Sequence, residues 1–194
     1  MAAGAVGGGL WALPPAIFKA YQGTNEVILT LLLNFVAINF VSFMVSGPML
    51  DAGAPFPFTP QIPETYALPR ILAGTDAHLG VIVGVLLAIA AAVYFRWHVG
   101  GFSLKAVGLN PHVAEYAGMS VRRHLIVGFL VGGACAGLAG TFEVIGFKGR
   151  LYQDFSPGYG YDGIIVAFLA NLNPFYAVLS ALFLAGLRSG ASGR

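Results

Sequence analysis

Apolar runs separated by short polar or proline-rich stretches set the rhythm of this chain. Residues 27–47 (VILTLLLNFVAINFVSFMVSG), 78–95, 124–142 and 163–187 are the long apolar runs. Each approaches the roughly 20 residues that a helix needs to cross ~30 Å of hydrocarbon, so four transmembrane helices are expected. The last run is interrupted by Asn171-Leu172-Asn173-Pro174, which reads as a helix break. Between the first two runs, residues 48–77 hold Pro48, Pro55, Pro57, Pro60, Pro63 and Pro69. That density forbids a helix and predicts an extended extramembrane loop. Residues 96–123 and 143–162 read as two further loops, the second rich in Gly and Tyr.

The ends of the chain read differently from its middle. Residues 1–18 are uncharged and contain Gly7-Gly8-Gly9 and Pro14-Pro15, without the basic start of a signal peptide. They are expected to be the tail of a partial N-terminal span followed by an exit turn. Arg188 to Arg194 read as a short tail of small and polar residues. The expected fold class is therefore all-α: a polytopic transmembrane helical bundle of about four full spans plus a partial N-terminal one. It forms a single domain over 1–194, part of a longer protein.

Composition excludes the main alternatives. Of the 194 residues, 57% are hydrophobic and 9% charged, and the mean hydropathy is +0.78. A soluble domain carries about 25% charge, so this chain lacks the charges to clothe a water-facing surface. A transmembrane β-barrel would show alternating segments of about ten residues, and the long uniform runs do not fit it. A net charge of +2 disfavours nucleic acid as a partner. Cys135, the one cysteine, lies inside an apolar run and supports no disulfide framework.

Lys and Arg collect in cytoplasmic loops, and this orients the spans. Residues 96–123 carry Arg96, Lys105, Arg122 and Arg123, whereas 48–77 carry Arg70, and 143–162 carry Lys148 and Arg150. The 96–123 loop is thus expected in the cytoplasm, with Lys19 and Arg188 on the same side, and 48–77 outside.

Three sets of residues are candidates for specific roles. In the third span Gly128, Gly132, Ala136 and Gly140 recur every four residues, with Gly133 and Gly137 beside them. Such rows let helix backbones approach closely in lipid, so a packing face is expected, within the chain or against another subunit. In the basic loop, Asn110 suits an N-cap, Pro111 a first helical position and Gly118 the position after a helix ends. The two turns between them are too short to persist alone in water. They either rest on the chain's own membrane domain or present Val113, Tyr116 and Ala117 to a partner's groove. Within or at the ends of the spans, Glu26, Asn34, Asn39, Glu143, Asn171 and Asn173 are costly in lipid. They are expected to face the bundle interior or a water-filled path, with interfacial placement or an interhelical hydrogen bond as the plainer reading. The histidines (His78, His98, His112, His124) are scattered, and no HExxH, CxxC, GxSxG or Walker A motif occurs. No catalysis is expected, no metal site, and no ATP bound by this chain.

Three ordered stretches resemble one family. They are GTNEVILTLLLN at 23–34, KAVGLNPHVAEYAG at 105–118 and FSPGYGYDGIIVAFLANLNP at 155–174. All three are similar to the permease subunits of ABC importers in the branched-chain amino acid/ribose/nucleoside superfamily, closest to the bacterial nucleoside (purine and pyrimidine) branch. Lys105, Val113, Ile165, Phe168 and Ala170 depart from residues usual there. Such permeases are usually longer, so the chain resembles a central portion. The resemblance implies a multi-pass protein of the cell membrane that carries nucleosides or related small polar solutes. Residues 108–118 would then be the coupling helix, with Gly108, Asn110, Pro111, Val113, Glu115, Tyr116, Ala117 and Gly118 at the contact. Asn25, Glu26, Asn34, Glu143, Asn171 and Asn173 would line the path. The implied partners are a cytoplasmic ATPase binding ATP and Mg, a second permease subunit, an extracytoplasmic substrate-binding lipoprotein and membrane lipid. The chain itself would hold no cofactor.

Rival readings are a secondary transporter or channel that needs no ATPase, or an ABC permease for sugars or branched-chain amino acids. An intramembrane enzyme would need a nucleophile or metal cluster that the spans do not offer. The orientation is open to direct test. In intact cells, on a background without Cys135, a cysteine at Ala54 is expected to react with a membrane-impermeant thiol reagent and one at Ser103 is not. The opposite pattern reverses the assignment.

Overall fold

The structure, a computed structural model, describes residues 1–51, 53, 56–63, 65, 68, 69, 78–153, 155, 156 and 158–192. Ala54, Pro55 and Arg70 lie outside them. The chain is helical, as its pattern predicts: α1 (Ala2–Trp11), α2 (Leu13–Gln22), α3 (Glu26–Ser46), α4 (Leu79–Trp97), α5 (Val99–Leu109), α6 (Pro111–Tyr116), α7 (Val121–Phe142), α8 (Tyr159–Leu169) and α9 (Pro174–Ser192). A π-helical segment, Glu143–Lys148, prolongs α7. Four of the described helices are long and apolar enough to cross a membrane: Glu26–Ser46, Leu79–Trp97, Val121–Lys148 and Pro174–Ala191. Their large apolar side chains, such as Phe35, Phe43, Leu86 and Leu182, are mostly exposed. Lipid can cover such a surface and water cannot.

Two compact units divide the chain, one from Met1–Gly80 with Ala106–Phe155, the other from Val81–Lys105 with Ser156–Arg194. In the first, α1 and α2 lie along α7. The N-terminal residues are thus helical rather than an exit turn. Gly7-Gly8-Gly9 sits within α1, and Pro14 and Pro15 fall in the first turn of α2, where their missing N–H groups cost nothing.

The close contact between α1 and α7 is made by glycines. Gly4 and Gly8 face Gly133 and Gly137, and a methyl group at Gly8 or Gly137 would be driven into the carbonyl oxygen of Gly133 or Gly4. A Cβ at Gly133 would also lie 2.6 Å from that of Ala12. The matching rows are therefore Gly4, Gly8 and Ala12 on α1 and Gly133, Gly137 and Thr141 on α7. The row expected from the sequence, Gly128, Gly132, Ala136 and Gly140, is its neighbour: Cβ atoms at the three glycines would meet nothing within 4 Å. The sequence reading missed the α1 partner because it ended that helix too early.

One end of this unit is closed by the segments on either side of two spans. Phe58 and Tyr152 form an isolated antiparallel bridge. Thr59 N–H donates to the Leu151 carbonyl at 3.0 Å, and Ile62 N–H to that of Gly149 at 2.8 Å. Gln153 Nε2 reaches back to Ser42 and Ser46 Oγ, at 2.7 and 3.1 Å, on the last turns of α3. Residues 58–62 and 149–153 thus lie at the same end of the unit.

Two further expectations are corrected. Residues 96–123 are mostly helical, because α5 continues the apolar pattern up to the break before Pro111. The 163–187 run is not one crossing: α8 and α9 pack as a hairpin around the break. Arg188 pairs with Asp162 and lies over the Tyr159 ring at 5.1 Å. The end of α9 therefore returns to the level where α8 starts, and Arg188 belongs to α9 rather than to a tail. An 11-residue α8 covers only about 16 Å.

The glycine contact predicts a sharp asymmetry on α7. Gly137→Ala is expected to cost roughly 1–3 kcal/mol, the range for overpacking a close contact, whereas Gly132→Ala is expected to leave the chain's own packing unchanged. Thermal unfolding of the detergent-solubilised protein would measure both.

Candidate coupling and transport residues

The short helix in the basic segment is built as its residues dictate. Asn110 Oδ1 accepts from the N–H groups of His112 and Val113 at 3.1 and 3.2 Å. Pro111 occupies the first helical position. At the other end Gly118 takes φ 78°, which a side chain would oppose. This turn lets Met119 N–H reach the Ala114 carbonyl at 3.0 Å and Gly118 N–H that of Glu115 at 2.9 Å. The short helix rests on the chain's own first unit. Ala114 is buried at 3% exposure and seats α6 on α7, while Tyr116 is 94% exposed and Val113 62%. Gly108, Glu115 and Ala117 are exposed too. The helix is held by one residue and offers the others outward.

The polar residues of the spans are not gathered into one cluster. Asn25 is the N-cap of α3 and accepts from Val27 N–H at 3.0 Å. Glu26, the next residue, is ion-paired with Lys19 of α2 at 2.6 Å. Asn34 lies roughly 12 Å further along the helix. It is exposed. Asn39 Nδ2 bonds back to the Phe35 carbonyl at 2.8 Å. Glu143 sits at the far end of α7, with Lys148 Nζ 3.7 Å from its Oε1. That oxygen is buried and accepts no hydrogen bond among the described residues. Asn171 and Asn173 belong to the other unit.

The break between α8 and α9 uses two consecutive left-handed residues, Asn171 (φ 49°) and Leu172 (φ 57°). Leu172 N–H closes onto the Ala167 carbonyl at 2.9 Å. Asn173 Oδ1 then caps α9 by accepting from Phe175 N–H at 3.0 Å. Asn25 and Asn173, expected on a path, are thus helix caps in this structure. Asn171 stands exposed at the turn. Among the described residues, no three His, Cys, Asp or Glu side chains are placed to hold a metal ion.

Sequence reasoning passed over the Lys19–Glu26 pair, and also an aromatic and cationic group at the end of α7. The first was legible as two opposite charges flanking the turn between two helices. The second needs the pairing of segments 90 residues apart, which no local pattern announces.

Comparisons with known proteins fit these elements. A family described as the permease component of branched-chain amino acid transport systems matches residues 1–193. The chain belongs to that permease family, and it is an integral membrane protein. It is similar to the guanosine ABC transporter permease protein NupP of Bacillus subtilis, with 36% identity over 96% of this chain and 55% of that protein. A glucose ABC transporter permease protein, TsgB13 of Haloferax volcanii, is 36% identical over 98% of this chain and 53% of its own length. The nucleoside ABC transporter permease protein NupB of Lactococcus lactis is 31% identical over 98% and 55%. The chain thus spans about half the length of the curated relatives it matches. No solved structure matches it.

Removing the Asn110 cap is expected to loosen α6 first. Asn110→Ala should cost about 1 kcal/mol of helix stability, and Gly118→Val should strain the closing turn. Both should speed amide hydrogen exchange at 112–119 and leave that of α7 unchanged.

Proposed function

We propose that this chain belongs to a permease subunit of an ABC importer. It forms part of the path for nucleosides or related small polar solutes, driven by an ATPase on a separate chain. The observation that carries this reading is α6: a capped two-turn helix, seated on a transmembrane helix by Ala114 and turning Val113 and Tyr116 outward. A helix of that length persists only against a support. An exposed aromatic on a fixed support is what a partner's groove engages. Gly108, Asn110, Pro111, Glu115, Ala117 and Gly118 shape or border that surface. Nucleosides are favoured over sugars because two of the relatives named above are nucleoside permeases. The glucose permease among them supports a sugar as the second reading.

The subunit is non-catalytic in this reading, and ATP and Mg are bound by the ATPase. A second permease subunit completes the path, to which Asn34, Glu143 and Asn171 contribute polar side chains. Asn25, Glu26 and Asn173 shape it through the helix ends that they fix. The paired segments around Phe58 and Tyr152 face outward and receive the substrate-binding lipoprotein.

Tyr116→Ala in the full-length permease is expected to lose on the order of 2 kcal/mol of docking energy, weakening assembly roughly 30-fold. Membrane insertion should be unaffected, because Tyr116 lies outside the spans. Co-purification of the ATPase and ATP-driven guanosine uptake in vesicles would both fall. Unchanged co-purification and uptake would make α6 a linker and favour a transporter without an ATPase.

A further inference from the structure

The end of α4 and the start of α5 form a tight elbow. α4 has 19 residues and is about 28 Å long, close to the ~30 Å of hydrocarbon it has to cross. It closes with Arg96 and Trp97, residue types that gather where hydrocarbon gives way to headgroups. His98 alone separates it from α5. The His98 ring stacks on Tyr94 with centroids 4.9 Å apart, and its Nδ1 accepts the Gly100 N–H at 3.0 Å. A methyl group at Gly101 would be driven into the Tyr94 carbonyl oxygen and would lie 2.7 Å from Phe95 Cα. In a straight continuation of α4, Gly101 would stand roughly 10 Å beyond Tyr94 along the axis. The chain therefore bends sharply at His98, and the first turns of α5 are held against the last turn of α4. They begin at the depth where that span ends.

The elbow leaves large apolar side chains uncovered. Leu86, Ile89, Val93 and Trp97 follow one another at helical spacing along α4, and all four are exposed. Across the bend Trp97 is 77% exposed, Val99 79% and Phe102 63%. Exposed apolar surface of this extent marks a contact with membrane or with protein. Depth decides between them. Trp97 belongs to the last turn of the span, which lipid already meets, whereas a water-soluble partner approaches from beyond the headgroups. Lys105, one turn after Phe102 on the same side of α5, is exposed as well. Its stem can lie along an apolar surface while its ammonium reaches the phosphates. Apolar residues flanked by Trp and a basic residue, on a helix bent away from its span, are the pattern of a helix that lies in the membrane surface.

We propose that the first turns of α5 lie in the lipid surface, with Val99 and Phe102 immersed beside Trp97 at the boundary between headgroups and acyl chains. Lys105 turns its ammonium to the phosphates. The His98 corner and the bare backbone at Gly101 set the angle that keeps these turns at that depth. The assignment requires only that α4 spans the membrane, and it stands apart from the solute carried and from what α6 meets.

The test uses the full-length permease in phospholipid nanodiscs, with its native cysteines replaced and one nitroxide label introduced through Phe102→Cys, Lys105→Cys or Leu86→Cys. Power saturation by oxygen, which concentrates in lipid, and by a water-soluble nickel chelate gives the depth of each label. The label at 102 is expected about 5–10 Å into the boundary between headgroups and acyl chains. That at 105 should be shallower, and that at 86, within the span, deeper. If labelling at 102 lowers the melting temperature, Val99→Cys replaces it with the same expected depth. Greater access to nickel than to oxygen at the site used stands α5 in water and overturns the proposal. Access to neither reagent puts protein over this face and overturns it equally. The measurement is then repeated on the assembled transporter, where the depth is expected to be unchanged. Loss of oxygen access on assembly would give the face to a partner subunit and overturn the lipid assignment.

Discussion

Backbone-to-backbone contact between α1 and α7 is the interaction on which the first unit depends. Lipid offers no hydrophobic force to drive two apolar helices together, so association rests on close packing. Gly4 and Gly8 on one helix and Gly133 and Gly137 on the other remove the side chains that would hold the backbones apart. Thr141, whose hydroxyl bonds back to the Gly137 carbonyl at 2.8 Å, sits on the same row without leaving a polar group unpaired. With α1 in place, α2 follows along α7, and the Lys19–Glu26 pair ties α2 to α3. At the adjoining turn the Arg122 guanidinium covers the Tyr21 ring at 5.3 Å.

That packing fixes α7 as a platform with a different device at each end. At one end Ser120 and the turn through Gly118 lead from α6, so the short helix inherits its position from the long one. From α7 the glycine contacts lead on to α1. Contacts this close have little slack. At the other end α7 unwinds into a π-helical segment, a form often found at functional sites. That segment brings Glu143 and Lys148 into one ion pair. The two ends meet different environments and share one rigid connector.

The sequence made much of this legible where local chemistry decides. Spans follow from uncharged runs, the α6 boundaries from Asn110, Pro111 and Gly118, and the α8–α9 break from Asn171 through Pro174. Legibility failed where the answer lies in a partner distant along the chain. The sequence showed two small-residue rows on α7, and only α1 decides which of them is covered. Proline pairs read as an exit turn because Pro14 and Pro15 stop a helix unless they open one, as they do in α2. Arg188 was expected opposite the 143–162 segment because strict alternation of spans was assumed. A hairpin held by Asp162 breaks that alternation. The aromatic and cationic group at the end of α7 depends on pairing residues 58–62 with 149–152, a register set by hydrogen bonds rather than by composition.

The central claim is that α6 meets an ATPase, and a photo-crosslinker placed at position 116 reports on that contact directly. The assembled full-length transporter, carrying p-benzoylphenylalanine in place of Tyr116, would be irradiated in its native membrane and the products identified by mass spectrometry. The coupling reading predicts a covalent adduct between the permease and an ATPase subunit. The same group at Leu86, on the apolar surface of α4, should give none. Adducts at position 116 to lipid or to the permease itself, with no ATPase captured, would contradict it.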